Sequence, residues 1–297
     1  MRWGIGRMNY TVDPSLYAVG SPDENSPVLV SSNYKLTYDS LRKELSGVNC
    51  WLLILDTKGV NVWCAAGKGT FGTDELINRI SLTGLSEIVS NKTLILPQLG
   101  APGVNASEVK RKTGFSVIYG TVRARDIKAF LEAGNKATEE MRTVKFTMYD
   151  RLVLTPMEIV PAAKKTLYVF GVMFLLNLFL VKPFDIMDFI TYTAAVLIGA
   201  FVTPVLLPFI PGRAFSFKGG LLGLIWAALA VWRLGVCPGY LLVSPSIAAY
   251  LAMNFTGAST FTSPSGVLKE MKIALPIIII ALAIGAILVL LNHILGL

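Results

Sequence analysis

Charged side chains almost vanish from the sequence after Lys165, and this limits the possible folds more than any other feature. The chain has 297 residues, with 27 lysines and arginines and 19 aspartates and glutamates. Only six of these basic residues and three of these acidic residues lie beyond Lys165. A segment with so few charges does not resemble a water-exposed domain. The sequence therefore predicts a polar N-terminal domain followed by a membrane domain.

Five apolar segments of this second part are each near the roughly 20 residues that a helix needs to cross a bilayer. They cover residues 166–181, 187–210, 219–236, 239–256 and 273–295. Lysines and arginines collect in the loops on the side of the polar domain, and such residues favour the cytoplasmic side. We therefore expect a multi-pass protein of the cytoplasmic (inner) membrane, with its polar domain in the cytoplasm.

The polar part divides into an N-terminal arm over residues 1–33, rich in Pro, Ser, Asn and Gly, and a domain over 34–160, ahead of the membrane domain over 161–297. Within the polar domain, apolar strand-like segments alternate with helix-like segments. Strands are predicted over 50–55, 93–96 and 115–119, and helices over 38–45, 73–82, 107–112 and 125–133. This alternation is typical of an α/β fold whose parallel sheet is covered on both faces.

In such folds ligands bind at the carboxyl ends of the strands. The loops at those ends are residues 56–72, 97–104 and 120–125. Eight residues in them are candidate ligand contacts, although each is also compatible with an ordinary turn: Thr57, Gly69, Thr70, Phe71, Gln98, Leu99, Gly120 and Thr121.

Charge and cysteine patterns narrow the possible functions. Basic and acidic residues are mixed along the polar part, which argues against nucleic-acid binding. The three cysteines lie far apart and form no C-x-x-C pair, so neither a zinc site nor a disulfide framework is indicated. Cys50 precedes an apolar strand and is predicted to be a core residue.

The segment after the first predicted strand has the pattern of a reactive site. Asn61 is suited to cap a short helix, which would place Cys64 in its first turn, where backbone N–H groups and the helix dipole favour a thiolate. Lys68 adds a cation on the same face. The whole segment reads Asn61-Val62-Trp63-Cys64-Ala65-Ala66-Gly67-Lys68. Its aromatic and small residues would suit a large flat ligand, but a buried structural cysteine remains equally compatible with the residues alone.

This segment resembles the N-V/I-W-C-A-A/G-G-K motif of the mercury-methylating corrinoid protein family. The resemblance covers essentially the whole chain, because that family joins a cytoplasmic corrinoid domain to a five-helix membrane domain. More distantly, the polar domain is similar to the corrinoid domain of the large subunit of the corrinoid iron–sulfur protein of the acetyl-CoA pathway. The resemblance implies a Rossmann-like corrinoid-binding domain followed by an all-α membrane domain.

The resemblance also implies a cofactor and its ligand. The cofactor is a base-off corrinoid of the cobalamin type, whose cobalt takes the Cys64 thiolate as its lower axial ligand. The motif, residues 61–68, forms a cap helix under the ring. Many corrinoid proteins use a histidine as this ligand, but the only histidine here is His293, near the outer end of the last predicted span.

The reaction that the resemblance implies is the methylation of inorganic Hg(II). Cobalt(I) takes a methyl group from a methyl-donating pterin methyltransferase system, and methyl-cobalt(III) passes it to Hg(II). Because Hg(II) is an electrophile, a strongly donating thiolate below the cobalt suits this transfer. The family pairs with a small ferredoxin-like protein carrying two [4Fe–4S] clusters, which is expected to supply electrons and deliver Hg(II).

Three alternatives stay open at this point. A corrinoid methyl carrier of the same scaffold could serve a different acceptor. A membrane transporter with a regulatory cytoplasmic domain would use an ionisable residue inside a span, such as Arg233. A thiol-based redox sensor would need a second cysteine near Cys64, and the sequence identifies none.

Overall fold

The computed structural model describes residues 10–258 and 260–296. Contacts divide the chain into two compact units, the first ending at Lys145 and the second beginning at Phe146. The domain boundary predicted near residue 160 therefore falls inside the second unit. Arg151 helps to hold the segment before residue 160 in the second unit. This charged residue is buried, and its guanidinium donates to the carbonyl oxygens of Val205, at 3.0 Å, and Phe146, at 2.7 Å.

The first unit is built around a five-stranded sheet in the order β1-β3-β2-β4-β5. Strands β2 to β5 are parallel, and β1 pairs with β3 in the antiparallel direction at one edge. The strands are β1 (Leu16–Val19), β2 (Val28–Ser32), β3 (Cys50–Leu55), β4 (Thr93–Leu96) and β5 (Ser116–Tyr119). The sheet is thus mixed rather than wholly parallel.

Seven α-helices accompany these strands in the described part of the first unit. They are α1 (Lys35–Glu44), α2 (Val62–Lys68), α3 (Thr73–Leu82), α4 (Leu85–Ile88), α5 (Ala106–Thr113), α6 (Ile127–Glu132) and α7 (Glu139–Arg142). Short 3₁₀ helices cover Gln98–Gly103 and Ala124–Asp126. Helices α2, α3 and α5 contribute to the apolar cluster on one face of the sheet, and α1 and α6 to the cluster on the other.

The expectation of an extended arm over residues 1–33 is wrong for the segment that forms β1 and β2, and residues 1–9 lie outside the described part of the chain. Strand β2 is the central strand, and all five of its residues are buried. Its apolar run is only Val28 to Val30, and two serines complete the strand. Because this apolar run is short and lies among polar residues, β2 cannot be recognised from its own sequence. Most of its stabilisation comes from the neighbouring strands.

The other predicted elements of this unit are found with small shifts. β3, β4 and α3 have the expected bounds, and α1 begins three residues earlier than expected. Gly72 is the N-cap of α3, and the Thr73 hydroxyl accepts a hydrogen bond from the Asn105 N–H at 2.8 Å. Thr73 therefore joins α3 to the start of α5 instead of capping its own helix.

All the regular secondary structure in the described residues of the second unit is helical. Its α-helices are α8 (Met148–Leu154), α9 (Pro156–Leu176), α10 (Ile186–Leu197), α11 (Thr203–Leu206), α12 (Phe215–Leu234), α13 (Tyr240–Asn254) and α14 (Pro264–Leu295). A π-helical turn, Ile198–Val202, joins α10 to α11, and a 3₁₀ turn, Phe255–Ala258, follows α13.

Four helical segments among the described residues are long and apolar enough to cross a membrane: Met148–Leu176, Ile186–Leu206, Phe215–Leu234 and Ser265–Leu295. The predicted span over 239–256 forms only the 15-residue α13, shorter than the roughly 20 residues of a typical spanning helix. Glycines let α12 and α13 approach closely, since a Cβ at Gly219 would lie 2.4 Å from the Ala248 carbonyl oxygen.

Gly103→Ala should destabilise the first unit, because a Cβ at this position would lie 2.1 Å from the Phe71 carbonyl oxygen. We expect a loss of about 1–3 kcal/mol, as for other overpacked sites, measured as a lower melting temperature of the purified full-length chain. Gly67→Ala is the matched control, since a Cβ there meets nothing within 4 Å. Equal melting of the two variants would contradict the close packing at Gly103.

Candidate functional site

The parallel strands β2, β3, β4 and β5 end at one edge of the sheet, and the side chain of Asn33 organises the centre of that edge. Its carbonyl oxygen accepts hydrogen bonds from the N–H groups of Thr57, at 3.1 Å, and Gly59, at 3.0 Å. The Thr57 hydroxyl also lies 2.8 Å from it. Asn33 therefore fixes the loop that leads from β3 to α2, a role that its place in the supposed arm concealed.

Further polar contacts fix the β3–α2 loop on its outer side. The Glu75 carboxylate on α3 accepts from the Asp56 N–H at 2.8 Å and pairs with Arg79, which also donates to the Pro14 carbonyl oxygen at 3.0 Å. A hydrogen bond from the Lys58 ammonium holds the pKa of the Asp56 carboxyl below its usual range. The loop thus enters α2 with its backbone fixed on both sides.

Helix α2 has the predicted cap. Asn61 is its N-cap, and the Asn61 side chain accepts from the Cys64 N–H at 2.9 Å. Cys64 therefore lies in the first turn, as expected. Gly69 ends the helix in the left-handed conformation, with φ of 79°.

The residues of α2 divide between a buried and an exposed side. Val62, Ala65 and Ala66 are buried against the core, and Trp63, Gly67 and Lys68 are exposed. Cys64 lies between these sets and is partly exposed. The small residues and the exposed indole leave the side of α2 that carries Cys64 open to a ligand.

Phe71 supports α2 from below. Its side chain is fully buried, and its N–H donates to the Ala65 carbonyl oxygen at 3.1 Å, alongside the Thr70 N–H at 3.0 Å. A Cβ at Gly100 would lie 2.5 Å from the Phe71 ring. Two of the predicted ligand contacts therefore have structural roles. Phe71 is a core residue that holds α2 on the Gln98–Gly103 turn, and Thr57 is a buried residue that holds the β3–α2 loop.

The remaining candidates lie on the loops after β4 and β5. The Gln98 N–H donates to the Thr121 carbonyl oxygen at 3.3 Å, and the Gly120 N–H donates to that of Leu96 at 2.8 Å. Thr121 is buried, with its hydroxyl on the Arg123 carbonyl oxygen at 2.8 Å, and Leu99 packs on the core. The structure thus joins the loops after β4 and β5.

Two buried side-chain oxygens at this edge have no hydrogen-bond partner, Ser32 Oγ at the end of β2 and Gln98 Oε1 after β4. These strands are direct neighbours in the sheet. A buried polar atom without a partner is costly, so this pair indicates a place where a ligand can supply hydrogen bonds. Ser32 belongs to no recognisable motif, and only its position at the end of a short strand could have identified it from the sequence.

The two cysteines of this unit differ in chemistry. Cys50 is fully buried, and burial raises the pKa of its thiol to about 11, so the unreactive protonated form dominates at neutral pH. The prediction of a structural core cysteine is confirmed for Cys50. Cys64 is the partly exposed thiol of the pair, and His293 lies in the second unit on α14.

Comparisons with known proteins place similarity in this same unit. Residues 6–131 match the model of the family described as CO dehydrogenase/acetyl-CoA synthase delta subunit. That match covers less than half of the chain but includes all five strands and α2.

Individual proteins are also similar to part of this chain. The acetyl-CoA decarbonylase/synthase complex subunit gamma of Methanopyrus kandleri is 36% identical over 123 residues, which is 41% of this chain and 26% of that relative. Its counterpart from Methanocaldococcus jannaschii is 35% identical over 127 residues, with coverages of 42% and 26%. Subunit gamma 2 of Methanosarcina thermophila is 35% identical over 130 residues, with coverages of 42% and 27%. The chain thus spans about a quarter of the length of these relatives.

Alkylation should separate the two cysteines of the first unit. Iodoacetamide applied to the folded chain near neutral pH is expected to label Cys64 and to leave Cys50 unlabelled, because Cys50 is buried and its raised pKa keeps it protonated. Peptide mass spectrometry reads both sites, and labelling after full denaturation provides the control. Faster labelling of Cys50 than of Cys64 in the folded chain would contradict this assignment.

Proposed function

We propose that the first unit binds a corrinoid and carries methyl groups on it, with the Cys64 thiolate as the lower axial ligand of the cobalt and Hg(II) as the methyl acceptor. The observation that carries the proposal is the position of Cys64, partly exposed in the first turn of a capped helix at the carboxyl edge of the sheet. Ligands of open α/β sheets bind at this edge. The similarity of residues 6–131 to the acetyl-CoA synthase family supports a methyl-carrying role.

The residues present at the edge fit a corrinoid. The ring of this cofactor is rimmed by amide side chains, each of which can donate and accept hydrogen bonds. Ser32 Oγ and Gln98 Oε1 are buried without partners, and such amides would satisfy both. The exposed side of α2 offers the small Gly67 and the flat indole of Trp63 to a planar ligand.

The N-cap of α2 and the buried residues of the helix then have defined roles in positioning Cys64. Asn61 fixes the first turn and so the direction of the Cα–Cβ bond of Cys64. Val62, Ala65 and Ala66 pack against the core, and this holds α2, and with it the Cys64 thiol, in position. A bound corrinoid supplies a cobalt-held methyl group, and a thiolate ligand raises the electron density that an electrophilic acceptor needs.

The choice of Hg(II) as the acceptor depends on the resemblance of Asn61–Lys68 to the motif of the mercury-methylating family. A second candidate is a methyl carrier with another acceptor, and one observation favours it: the relatives described above are subunits of an acetyl-CoA decarbonylase/synthase complex. The two candidates share the cofactor and the role of Cys64 and differ only in the acceptor.

The resemblance to the mercury-methylating family implies two partners. A methyl-donating pterin methyltransferase system would load the cofactor. A corrinoid that gave its methyl group to Hg(II) as a carbanion would need two electrons before it could be methylated again, and the three cysteines of this sequence are too few for a cluster held by four. A small ferredoxin-like protein with two [4Fe–4S] clusters would supply those electrons and deliver Hg(II).

We also propose that the second unit spans the cytoplasmic membrane and leaves the first unit in the cytoplasm. The support is the set of four long apolar helices, whose large side chains are widely exposed. Three exposed cations fall in the segments predicted to face the cytoplasm: Lys164, Lys165 and Arg213.

Cys64→Ala tests the ligand and the reaction together. The full chain loaded with corrinoid should lose the visible-absorption signature of thiolate-ligated cobalt, and formation of methylmercury should fall to background. Cys237→Ala, which removes a cysteine of the second unit, is the control and should retain both. Unchanged methylation by Cys64→Ala would refute the mechanism. A wild-type chain that shows the cobalt–sulfur signature but methylates another acceptor and not Hg(II) would favour the second candidate.

Ser32→Ala should weaken corrinoid binding without destabilising the unloaded chain. Removing a buried hydroxyl that has no partner costs the apo protein little, while loss of one hydrogen bond to the ligand should lower affinity by roughly tenfold, or about 1.4 kcal/mol. Corrinoid titration followed by absorbance measures the affinity, and thermal melting measures stability. Ser116→Ala, at the opposite end of β5, is the control. Unchanged affinity would remove Ser32 from the site.

A further inference from the structure

Two adjacent lysines of α9 lie on the exposed surface of the second unit, and the proposed methyl transfer uses neither of them. Lys164 and Lys165 are both exposed, and neither forms an ion pair with any residue in the part of the chain that the structure describes. If the second unit spans a membrane, the surroundings of these two cations depend on how deep in the unit they lie.

The packing of α9 against α10 gives this depth. The Phe170 ring on α9 lies 4.8 Å from the Phe189 ring in the first turns of α10. Ala162, two turns earlier on α9, belongs to the same buried cluster as Val196, two turns later on α10. The two helices therefore run in opposite directions, and earlier residues of α9 lie beside later residues of α10.

This pairing places the lysines beside the middle of a spanning segment. Val196 is the central residue of Ile186–Leu206, which is long and apolar enough to cross a membrane, and it lies about 15 Å from either end of that segment. Lys164 and Lys165 follow Ala162 and so lie at the level of Val196 or further from the proposed cytoplasmic end. A lysine stem of four carbons is too short to bring its ammonium to water from this depth.

The charge-free part of α9 is too short for a bilayer of ordinary thickness. Residues 166–181 carry no charge and extend over at most about 24 Å at the helical rise, against roughly 30 Å of hydrocarbon. A bilayer thins around an apolar segment that is too short for it. On α10, by contrast, Leu197 is exposed at the level of the lysines, so an apolar side chain faces outward there.

A tyrosine beside the lysines also indicates the headgroup region. Tyr168 is 78% exposed and lies one turn after Lys164 on the same side of α9. Tyrosine collects where a membrane meets water, because its ring is apolar and its hydroxyl is polar. Lysines in apolar surroundings need a negative partner, and the phosphate of a lipid headgroup supplies one at this level.

A second copy of the chain is a poor partner for this surface. Copies in one membrane share their orientation, so a two-fold axis between them would run along the membrane normal. Contact through the exposed side of α9 would then bring Lys164 and Lys165 of both copies together at one depth. Like charges repel strongly in a medium of low dielectric constant, so the partner must be anionic.

We propose that Lys164, Lys165 and Tyr168 bind the headgroup of an anionic phospholipid of the cytoplasmic leaflet, which is drawn towards the middle of the second unit along α9. Both ammonium groups then donate charge-assisted hydrogen bonds to phosphate oxygens, and the leaflet is thinnest beside this helix. This proposal rests on the proposed membrane span and is independent of the corrinoid and of Hg(II).

Lipid binding to the purified full chain tests the charge. Native mass spectrometry should show that the first phosphatidylglycerol binds about tenfold more tightly than phosphatidylcholine. The double variant Lys164→Gln with Lys165→Gln should lose this preference, and its melting temperature should stay unchanged because glutamine suits a helix as well as lysine does. A wild-type chain without the preference, or a double variant that keeps it, would overturn the proposal.

The matched control replaces another pair of exposed lysines, Lys269 and Lys272 at the start of α14, by glutamine. This variant should keep the preference for phosphatidylglycerol. Equal loss in both double variants would show attraction to general surface charge and would overturn a site on α9. A wild-type dimer that dissociates on replacement of Lys164 and Lys165 would assign the surface to a second copy instead.

Cross-linking in vesicles tests the position of the lipid. Phosphatidylglycerol that carries a photoreactive group on its headgroup should label the peptide containing residues 164–168, whereas labelling confined to other peptides would refute the site. Extraction by alkaline carbonate separates the two proposals. A chain that leaves the vesicles would refute the membrane span itself, and a chain that stays but is not labelled on α9 would refute only the lipid site.

Discussion

The side-chain oxygen of Asn33 is the contact on which the candidate site depends. It receives hydrogen bonds from the backbone at Thr57 and Gly59, and so joins the end of the central strand to the loop that leaves its neighbour β3. That loop delivers Asn61, which caps α2 and sets the place of Cys64. A reactive thiol on a short helix needs such support, because a seven-residue helix has little stability of its own. Phe71 completes the support from the core side.

The sequence predicted the elements that carry a strong local signal. β3 is a run of six apolar residues, and the cap at Asn61 follows from residue type, so both could be recognised without tertiary information. β2 could not be recognised, because three apolar residues followed by two serines form a strand only when β3 and β4 pair with it on both sides. Asn33 and Ser32 were overlooked for the same reason. Their roles depend on neighbours that lie close in space but distant in sequence.

In the second unit, composition predicted helices but not how polar groups are accommodated among them. Arg151 is buried because two backbone carbonyl oxygens accept from it, and Lys218 is buried because its ammonium lies 2.5 Å from the Leu207 carbonyl oxygen. The sequence placed His293 near the outer end of the last predicted span, and the structure encloses its ring between Phe184 and Asp188. Hydropathy measures how apolar a segment is, whereas the partners of its few polar residues depend on which helices pack against one another.

The antiparallel strand β1 has an effect beyond covering one edge of the sheet. By pairing with β3 on the side away from β2, it makes β3 an interior strand, with neighbours along both of its sides. A slip of β3 by one residue would break two ladders at once and would turn its core side chains to the wrong face. The register of the strand that leads to Cys64 is therefore locked, and this fixes the point at which the β3–α2 loop leaves the sheet.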